Sequence, residues 1–442
     1  MKKSKIGFIS LGCPKNLIDT EIMLKELYSE GYEITSEETE ADIIIINTCA
    51  FTESAKQESI DSILDAAWLK ENAKCKGLIV TGCLAQRYGK EIVKELPECD
   101  AVVGVASIHS IVDAVKSVEK HKYYEKFGDV DDYDICGERL VTTPEYTAYL
   151  KIAEGCDNRC TYCAIPDIRG KFRSRKIEDI VEEAKDLEKM GVLELTLVAQ
   201  DTTRYGIDIY GEYKLAELIK RITSETSIPW IRLLYCYPDK ITDELVEEIK
   251  NNDRVVKYID IPIQHISEKV LKRMNRHGGQ ESIKDAVRRL REAVPDITLR
   301  TTVIVGFPGE TEEDFVELCE YLKETKFERL GVFPYSREEG TPAYDFEDQI
   351  DEQVKQDRCD TIMKMQFDIN LEKNKEKIGK VIKVLCEGFD PVSNAHFGRS
   401  TADAPEIDGK IYFTCGKRLA EGKMYNVKIT DVLDYDLIGE TK

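Results

Sequence analysis

Long apolar runs are missing from this chain: no segment approaches the roughly 18 consecutive apolar residues that a membrane-crossing helix requires. No cleavable export signal is expected either. Met1-Lys2-Lys3 followed by Ile6 to Leu11 imitates one, but the apolar segment is short and Cys13-Pro14-Lys15-Asn16 offers no small-residue cleavage site. The stretch therefore reads as the first strand of a cytoplasmic protein with no membrane partner. Positive charge is in deficit, with 63 Lys and Arg against 84 Asp and Glu, a formal net charge of −21. Such a balance counts against general attraction to nucleic acid and favours a basic partner. What the chain does have is 14 cysteines. Without an export signal they point to metal binding or catalysis rather than to a disulfide framework. At 442 residues, 42% hydrophobic and 33% charged, the sequence describes a globular protein of two to four domains.

The densest cysteine pattern is Cys156-Asp157-Asn158-Arg159-Cys160-Thr161-Tyr162-Cys163, directly after the apolar run Tyr149 to Ala153. Three cysteines in one tight loop after a strand can wrap one metal cluster, and thiolate sulfur suits iron–sulfur clusters or zinc better than hard cations. A cube takes four cysteine ligands, so three leave one iron open, as a catalytic metal requires. The bland alternative is half of a zinc site, Cys160-x-x-Cys163, completed elsewhere. The octet, with aromatic Tyr162 before its third cysteine, resembles the signature of the radical S-adenosylmethionine (SAM) enzymes. That resemblance implies a 4Fe–4S cluster on Cys156, Cys160 and Cys163, with SAM on the open iron as the source of a radical that abstracts an unactivated hydrogen.

Residues 1–125 alternate strands and helices. Strands are expected at 5–11, 42–47, 77–81 and 100–104, and helices at 17–30, 53–72, 85–95 and 108–119. Continuous apolar strands between helices mean a doubly wound parallel sheet. Cys13, Cys49 and Cys83 each fall just past the C-terminal end of a strand, the edge at which open α/β sheets bind ligands. Three thiols from three strands thus converge into a second three-cysteine site. Cys75 and Cys99 precede their strands, at the opposite edge, and cannot join them. Three unrelated buried cysteines are the plain alternative.

Residues 126–143 are acidic and aperiodic and read as a linker. From 144 to 372 the alternation resumes, with strands at 147–153, 193–199, 230–235, 258–263, 298–305 and 329–334. Six βα units are too few for a closed eight-fold barrel; an open, partial (βα)6 barrel fits, with its site at the C-terminal strand ends beside the cysteine loop. The rim loops Ala199-Gln200-Asp201-Thr202, Gln264-His265 and Gly306 to Thr311 carry polar or glycine-rich content, with Thr311 an expected helix N-cap. His265 is expected to be structural, and the run Lys272 to Arg276 to solvate a helix end rather than to bind a carboxylate. None of these is assigned as catalytic. Residues 375–442 hold about five short alternating strands, expected to close a small antiparallel barrel of the OB type. With 11 basic and 11 acidic side chains, that barrel lacks the basic excess usual in RNA-binding modules.

In this order the three parts resemble the methylthiotransferases over essentially the whole chain: an N-terminal cluster domain, a radical SAM core and a C-terminal TRAM domain. Leu11-Gly12-Cys13-Pro14-Lys15-Asn16, Ala148 to Cys156 and Tyr258 to Ile266 look like the branch that modifies a ribosomal protein. The resemblance implies β-methylthiolation of one aspartate of the small-subunit ribosomal protein S12. It also implies two 4Fe–4S clusters, one on Cys13, Cys49 and Cys83 and one on Cys156, Cys160 and Cys163, and two SAM per turnover. One SAM would supply the methyl group and the other the radical, with an electron donor such as flavodoxin or ferredoxin. A tRNA adenosine methylthiotransferase shares this architecture; the acidic charge and neutral barrel make tRNA the less favoured substrate. A non-catalytic iron–sulfur carrier or ribosome-assembly factor would leave the SAM-type loop unexplained.

Overall fold

Four consecutive isoleucines, Ile43–Ile46, all fully or nearly fully buried, form the middle of the first sheet; β-branched side chains without alternation suit a strand covered on both faces. The structure is a computed structural model and describes residues 3–441. Its N-terminal sheet contains β1 (Lys5–Ser10), β2 (Glu33–Thr35), β3 (Ile43–Thr48), β4 (Gly77–Gly82), β5 (Ala101–Gly104) and β6 (Tyr124–Lys126), in the order β2-β1-β3-β4-β5-β6 with every pair parallel. Helices Pro14–Ser29, Glu53–Asn72, Cys83–Glu95 and Ile111–Val118 cover it. The direction of winding reverses between β1 and β3, and a doubly wound sheet opens its ligand crevice at such a switch point. Two three-residue edge strands, β2 and β6, were not expected; both are too short and polar to show an apolar period. The expected linker starts inside β6, at Lys126. Its remainder has no helix or strand, yet it packs down: Ile135 is buried, and Arg139 pairs with Glu21 at 2.5 Å and Glu183 at 2.7 Å.

The central part opens with β7 (Thr147–Lys151), followed by a small ribbon of β8 (Ala153–Glu154) and β9 (Arg173–Ser174). Then come β10 (Glu194–Val198), β11 (Trp230–Leu233), β12 (Val255–Asp260), β13 (Thr298–Val305) and β14 (Arg329–Pro334). The large sheet runs β14-β13-β12-β11-β10-β7 and is parallel throughout, the open six-unit barrel expected. Its outer face packs on helices such as Ile177–Lys189 and Leu215–Glu225 in one continuous core. A 24-residue helix, Glu352–Lys375, closes this part. It went unpredicted because its buried face is largely polar, with Lys355, Arg358, Gln366, Asn370 and Asn374 facing in.

The C-terminal strands β15 (Val381–Asp390), β16 (Ala395–Arg399), β17 (Ile411–Thr414), β18 (Met424–Leu433) and β19 (Asp436–Glu440) form a closed barrel. Its 399–408 segment enters the open side of the central sheet. There Glu194 accepts from Arg232 and Arg399, both at 2.7 Å, Asp403 from Arg329 at 2.5 Å, and Asp408 from the Tyr258 hydroxyl at 2.7 Å. Charges so deeply buried are tolerated because each acid has its cation or hydroxyl donor. Among the described residues no helix is long and apolar enough to cross a membrane.

Candidate functional site

Cys13 is the N-cap of helix Pro14–Ser29, Cys49 follows β3 by one residue, and Cys83 opens helix Cys83–Glu95 directly after β4. Parallel strands in register deliver all three to the same edge. Two glycines make the approach possible. Gly12 has φ +88°, and a Cβ there would lie 2.9 Å from the Cys49 Cβ and 3.0 Å from its Sγ; Gly82, at φ +95°, would meet the Asn47 side chain at 2.3 Å. Only glycine fits both the left-handed backbone and the space. Cys49 is fixed by Ser59, whose Oγ accepts from the Cys49 N–H at 3.0 Å and donates to its carbonyl at 2.9 Å. The three thiols are mutual electrostatic neighbours. Burial pushes Cys49 up to about 12, and Cys83 and Cys13 add to the rise; burial raises Cys83 as well, against the pull of Arg169. Cys75 and Cys99 lie buried in front of β4 and β5, away from this edge.

The second set sits on the C-terminal rim of the central sheet. Gly155, at φ +78°, turns the chain after β8, and a Cβ there would strike the Lys171 carbonyl at 2.0 Å. Cys156 N–H donates to Gly170 O at 3.1 Å, and Cys163 N–H to Cys160 O at 3.0 Å, so the loop winds tightly. Cys160 Sγ lies 3.1 Å from the Tyr237 hydroxyl. Burial pushes Cys156 up to about 11, and burial together with Cys160 raises Cys163. The Tyr162 ring packs edge-on to Phe307, centroids 6.5 Å apart, in an aromatic cluster with Tyr335 and Phe346.

The run from Lys272 to Arg276 does more than solvate a helix end: it braces the cysteine loop. Thr161 donates its N–H to Met274 O at 3.0 Å and its hydroxyl to Arg273 O at 2.8 Å, while the Asn275 amide donates to Arg159 O at 2.9 Å. Asn158 donates to Asp201 at 2.9 Å from the next rim loop. Thr311 does cap its helix, in a reciprocal box with Asp314. His265 is fully buried; its Nδ1 accepts from the Ser267 N–H at 3.0 Å, and burial holds the ring neutral, with its pKa pushed down to about 3.

The two cysteine sets are joined by a buried charge network that sequence reasoning missed. Arg169 donates to Asp19 at 2.6 Å, Glu154 at 3.1 Å, Asn16 at 3.1 Å and the Cys83 sulfur at 3.4 Å. Lys151, the last residue of β7, donates to Asp19 at 2.7 Å and Glu154 at 3.0 Å. Gln200 adds a donor to Glu154. Burial alone would raise the Glu154 carboxyl, but Arg169 and then Lys151 hold it below the usual carboxylate range. Asn16, Asp19 and Cys83 belong to the first sheet's layer; Lys151, Glu154 and Arg169 belong to the second. The network therefore fixes the C-terminal edges of both sheets face to face.

Both sets suit a cluster better than a lone ion. A cube offers a separate iron to each thiolate, whereas zinc draws its ligands onto one atom. Thiols whose burial opposes ionisation give up the proton readily when a metal takes the sulfur. Some of the buried polar atoms without a partner lie on these edges, among them Asn47 Oδ1, Gln200 Oε1 and Gln264 Oε1. Unspent acceptors at a ligand-binding edge are what a polar cofactor would satisfy.

Comparison with known proteins yields three family matches in chain order. Residues 5–104 match an uncharacterized protein family, UPF0004, residues 150–322 the radical SAM superfamily, and residues 378–441 the TRAM domain. The ribosomal protein uS12 methylthiotransferase RimO of Acetivibrio thermocellus is 52% identical over 451 aligned positions, which cover 99% of this chain and 98% of that one. The protein of the same name from a Thermoanaerobacter species is 51% identical, covering 98% and 99%. Among solved structures, the radical SAM methyltransferase TsrM from Kitasatospora setae aligns with a TM-score of 0.56 at 13% identity over 77% of each chain. The cobalamin-dependent radical enzyme OxsB gives 0.50 at 14% identity, over 81% of this chain and 56% of that one. At such identities the structural likeness speaks for the fold.

Proposed function

Because the chain belongs to the ribosomal protein uS12 methylthiotransferase (RimO) family, radical SAM enzymes, we propose that it places a methylthio group on the β-carbon of one aspartate of ribosomal protein S12. In this reading residues 1–125 carry one 4Fe–4S cluster on Cys13, Cys49 and Cys83. Residues 144–372 carry a second on Cys156, Cys160 and Cys163, with SAM beside it and Tyr162 in its wall, and residues 375–442 form the TRAM domain. Two SAM would be used per turnover, and a flavodoxin or ferredoxin would bring the electrons. When bound, these groups supply one-electron chemistry, needed because an aspartate β-hydrogen is too inert for an ordinary base, and the methylthio group to be transferred.

The chain's own residues do the positioning. Observation of two three-thiol sets on facing sheet edges, locked by Asp19, Lys151, Glu154 and Arg169, carries the proposal. One side of the substrate must meet a hydrogen acceptor and the same carbon must then meet a sulfur donor. A rigid seam with one set on each side satisfies both demands without large movement. The network is neutral overall, two cations against two carboxylates, so it holds the seam without imposing its own charge. Tyr162, Phe307 and Phe346 wall the cysteine loop with apolar surface, which keeps water from a reactive intermediate.

The test is mass spectrometry of small-subunit ribosomal proteins and total tRNA from cells with and without the gene. Loss of a methylthio increment from protein S12 is the expected result. An unchanged S12, with a methylthioadenosine missing from tRNA, would overturn the proposal in favour of the tRNA branch.

A further inference from the structure

Among the described residues, ten lysine and arginine side chains are at least nine-tenths buried. Eight of them stand within 4 Å of a carboxylate. The exceptions are Arg276 and Lys15. Arg276 donates to the Pro262 carbonyl and lies 3.8 Å over the Tyr237 ring, beside the cysteine loop. The Lys15 ammonium has neither an ion pair within 4 Å nor a hydrogen bond among the described residues, and Cys13 and Glu154 act on it only from farther away; its Nζ rests 3.4 Å from the centroid of Tyr235. A ring face offsets part of the cost of burying an ammonium, but a buried cation is normally retained only with an anion.

Its position says which anion is missing. Lys15 lies two residues past Cys13, near the start of helix Pro14–Ser29. Tyr235 lies just past β11 on the rim of the central sheet, in a left-handed conformation at φ +60°. That backbone is held by Asp260, which accepts from the Tyr235 N–H at 2.9 Å, and by Thr202, whose N–H donates to Tyr235 O at 2.9 Å. The fold thus maintains a strained residue to present a ring under an unpaired ammonium, at the seam between the two cysteine sets.

We propose that Lys15, backed by Tyr235, receives the side-chain carboxylate of the residue to be modified and so makes the enzyme select aspartate over its amide. This rests on the reading that the target is an aspartate. A buried cation left unpaired rejects a neutral isostere, because asparagine cannot repay the desolvation that the carboxylate repays. Lys15 is a substrate-binding residue in this view; it fixes the carboxylate and leaves the β-carbon facing the seam.

The experiment uses the cluster-loaded full chain and two synthetic peptides of the S12 target loop, one with the aspartate and one with asparagine in its place. Binding is read by fluorescence anisotropy for the natural protein, Lys15→Gln and Lys15→Arg. The natural protein and Lys15→Arg should bind the aspartate peptide at least about thirtyfold more tightly than its twin, and Lys15→Gln should bring the two within about threefold. A purely structural lysine would weaken both peptides equally and leave their ratio intact; a preserved ratio in Lys15→Gln overturns the proposal. Should that variant lose its clusters, the natural protein alone decides, since near-equal binding of the two peptides also overturns it. Methylthiolation of the aspartate peptide, read in the same samples, reports separately on the parent reading. If it fails while the ratio depends on Lys15, the function is wrong and the carboxylate site stands.

Discussion

Replacing Arg169 with Met removes the guanidinium from the seam while roughly keeping its volume. Four contacts go, to Asp19, Glu154, Asn16 and Cys83. Lys151 then remains as the one cation hydrogen-bonded to two carboxylates whose side chains are 3% and 0% exposed. The site passes from neutral to one net negative charge. Breaking a buried pair by removing one partner costs about 3–5 kcal/mol, chiefly because the remaining charge is left desolvated. Urea denaturation of the reduced, metal-free protein measures that cost. If charge imbalance is the cause, adding Asp19→Asn restores one cation against one anion. The double variant should then be more stable than Arg169→Met by about 1 kcal/mol or more, the opposite of additive losses. Arg169→Lys keeps the charge but cannot reach four acceptors from one ammonium, so it should fall in between. A loss below about 1 kcal/mol for Arg169→Met, or no relief from Asp19→Asn, would refute the idea that the seam is held by balanced buried charge.

Two further expectations follow from the site. Cys49→Ser and Cys160→Ser should each lower iron and acid-labile sulfide by about half, as expected when one of two cubes is lost. Only Cys160→Ser should abolish SAM cleavage; loss of all iron in either variant would contradict two independent sets. His265 titrates near 3 in the fold, because burial disfavours its charged form, and near 6.5 when unfolded. The unfolded chain therefore takes up a proton that the native state refuses. The histidine's contribution is present above pH 6.5 and is lost as pH falls from there toward 3. Between about pH 7 and about pH 5.5 this residue should cost about 1.3 kcal/mol of stability. His265→Asn, whose side-chain oxygen can still accept from Ser267, should remove that part of the slope, and an unchanged slope would refute the assignment.

Much of the fold was legible because its signals are local. Ile43 to Ile46 declares a strand covered on both faces, and six such units with helices between them declare the open central barrel. From there topology alone placed Cys13, Cys49 and Cys83 on one edge and set Cys75 and Cys99 apart. The seam was not legible. Asp19 meets Lys151 and Arg169 across 132 and 150 residues of chain, and no periodicity in either segment marks a charge as buried. For the same reason nothing in the sequence marks Lys15 or Glu154 as buried. Edge strands β2 and β6 are too short to carry a pattern, and helix Glu352–Lys375 hides because its inward face is polar. The run Lys272 to Arg276 does end a helix, as its charges suggest, but its grip on the cysteine loop runs through backbone carbonyls and Asn275, which no charge pattern shows.

In the proposed function one seam brings both the radical source and the sulfur donor to the same aspartate carbon. Its most direct test is an S12 loop peptide deuterated at the aspartate β-carbon, incubated with the reduced, cluster-loaded protein and SAM. Deuterium is expected in the 5′-deoxyadenosine released, together with a methylthio group on the same aspartate. Deuterium-free 5′-deoxyadenosine alongside a methylthiolated peptide, or labelled 5′-deoxyadenosine with the peptide never methylthiolated, would contradict it.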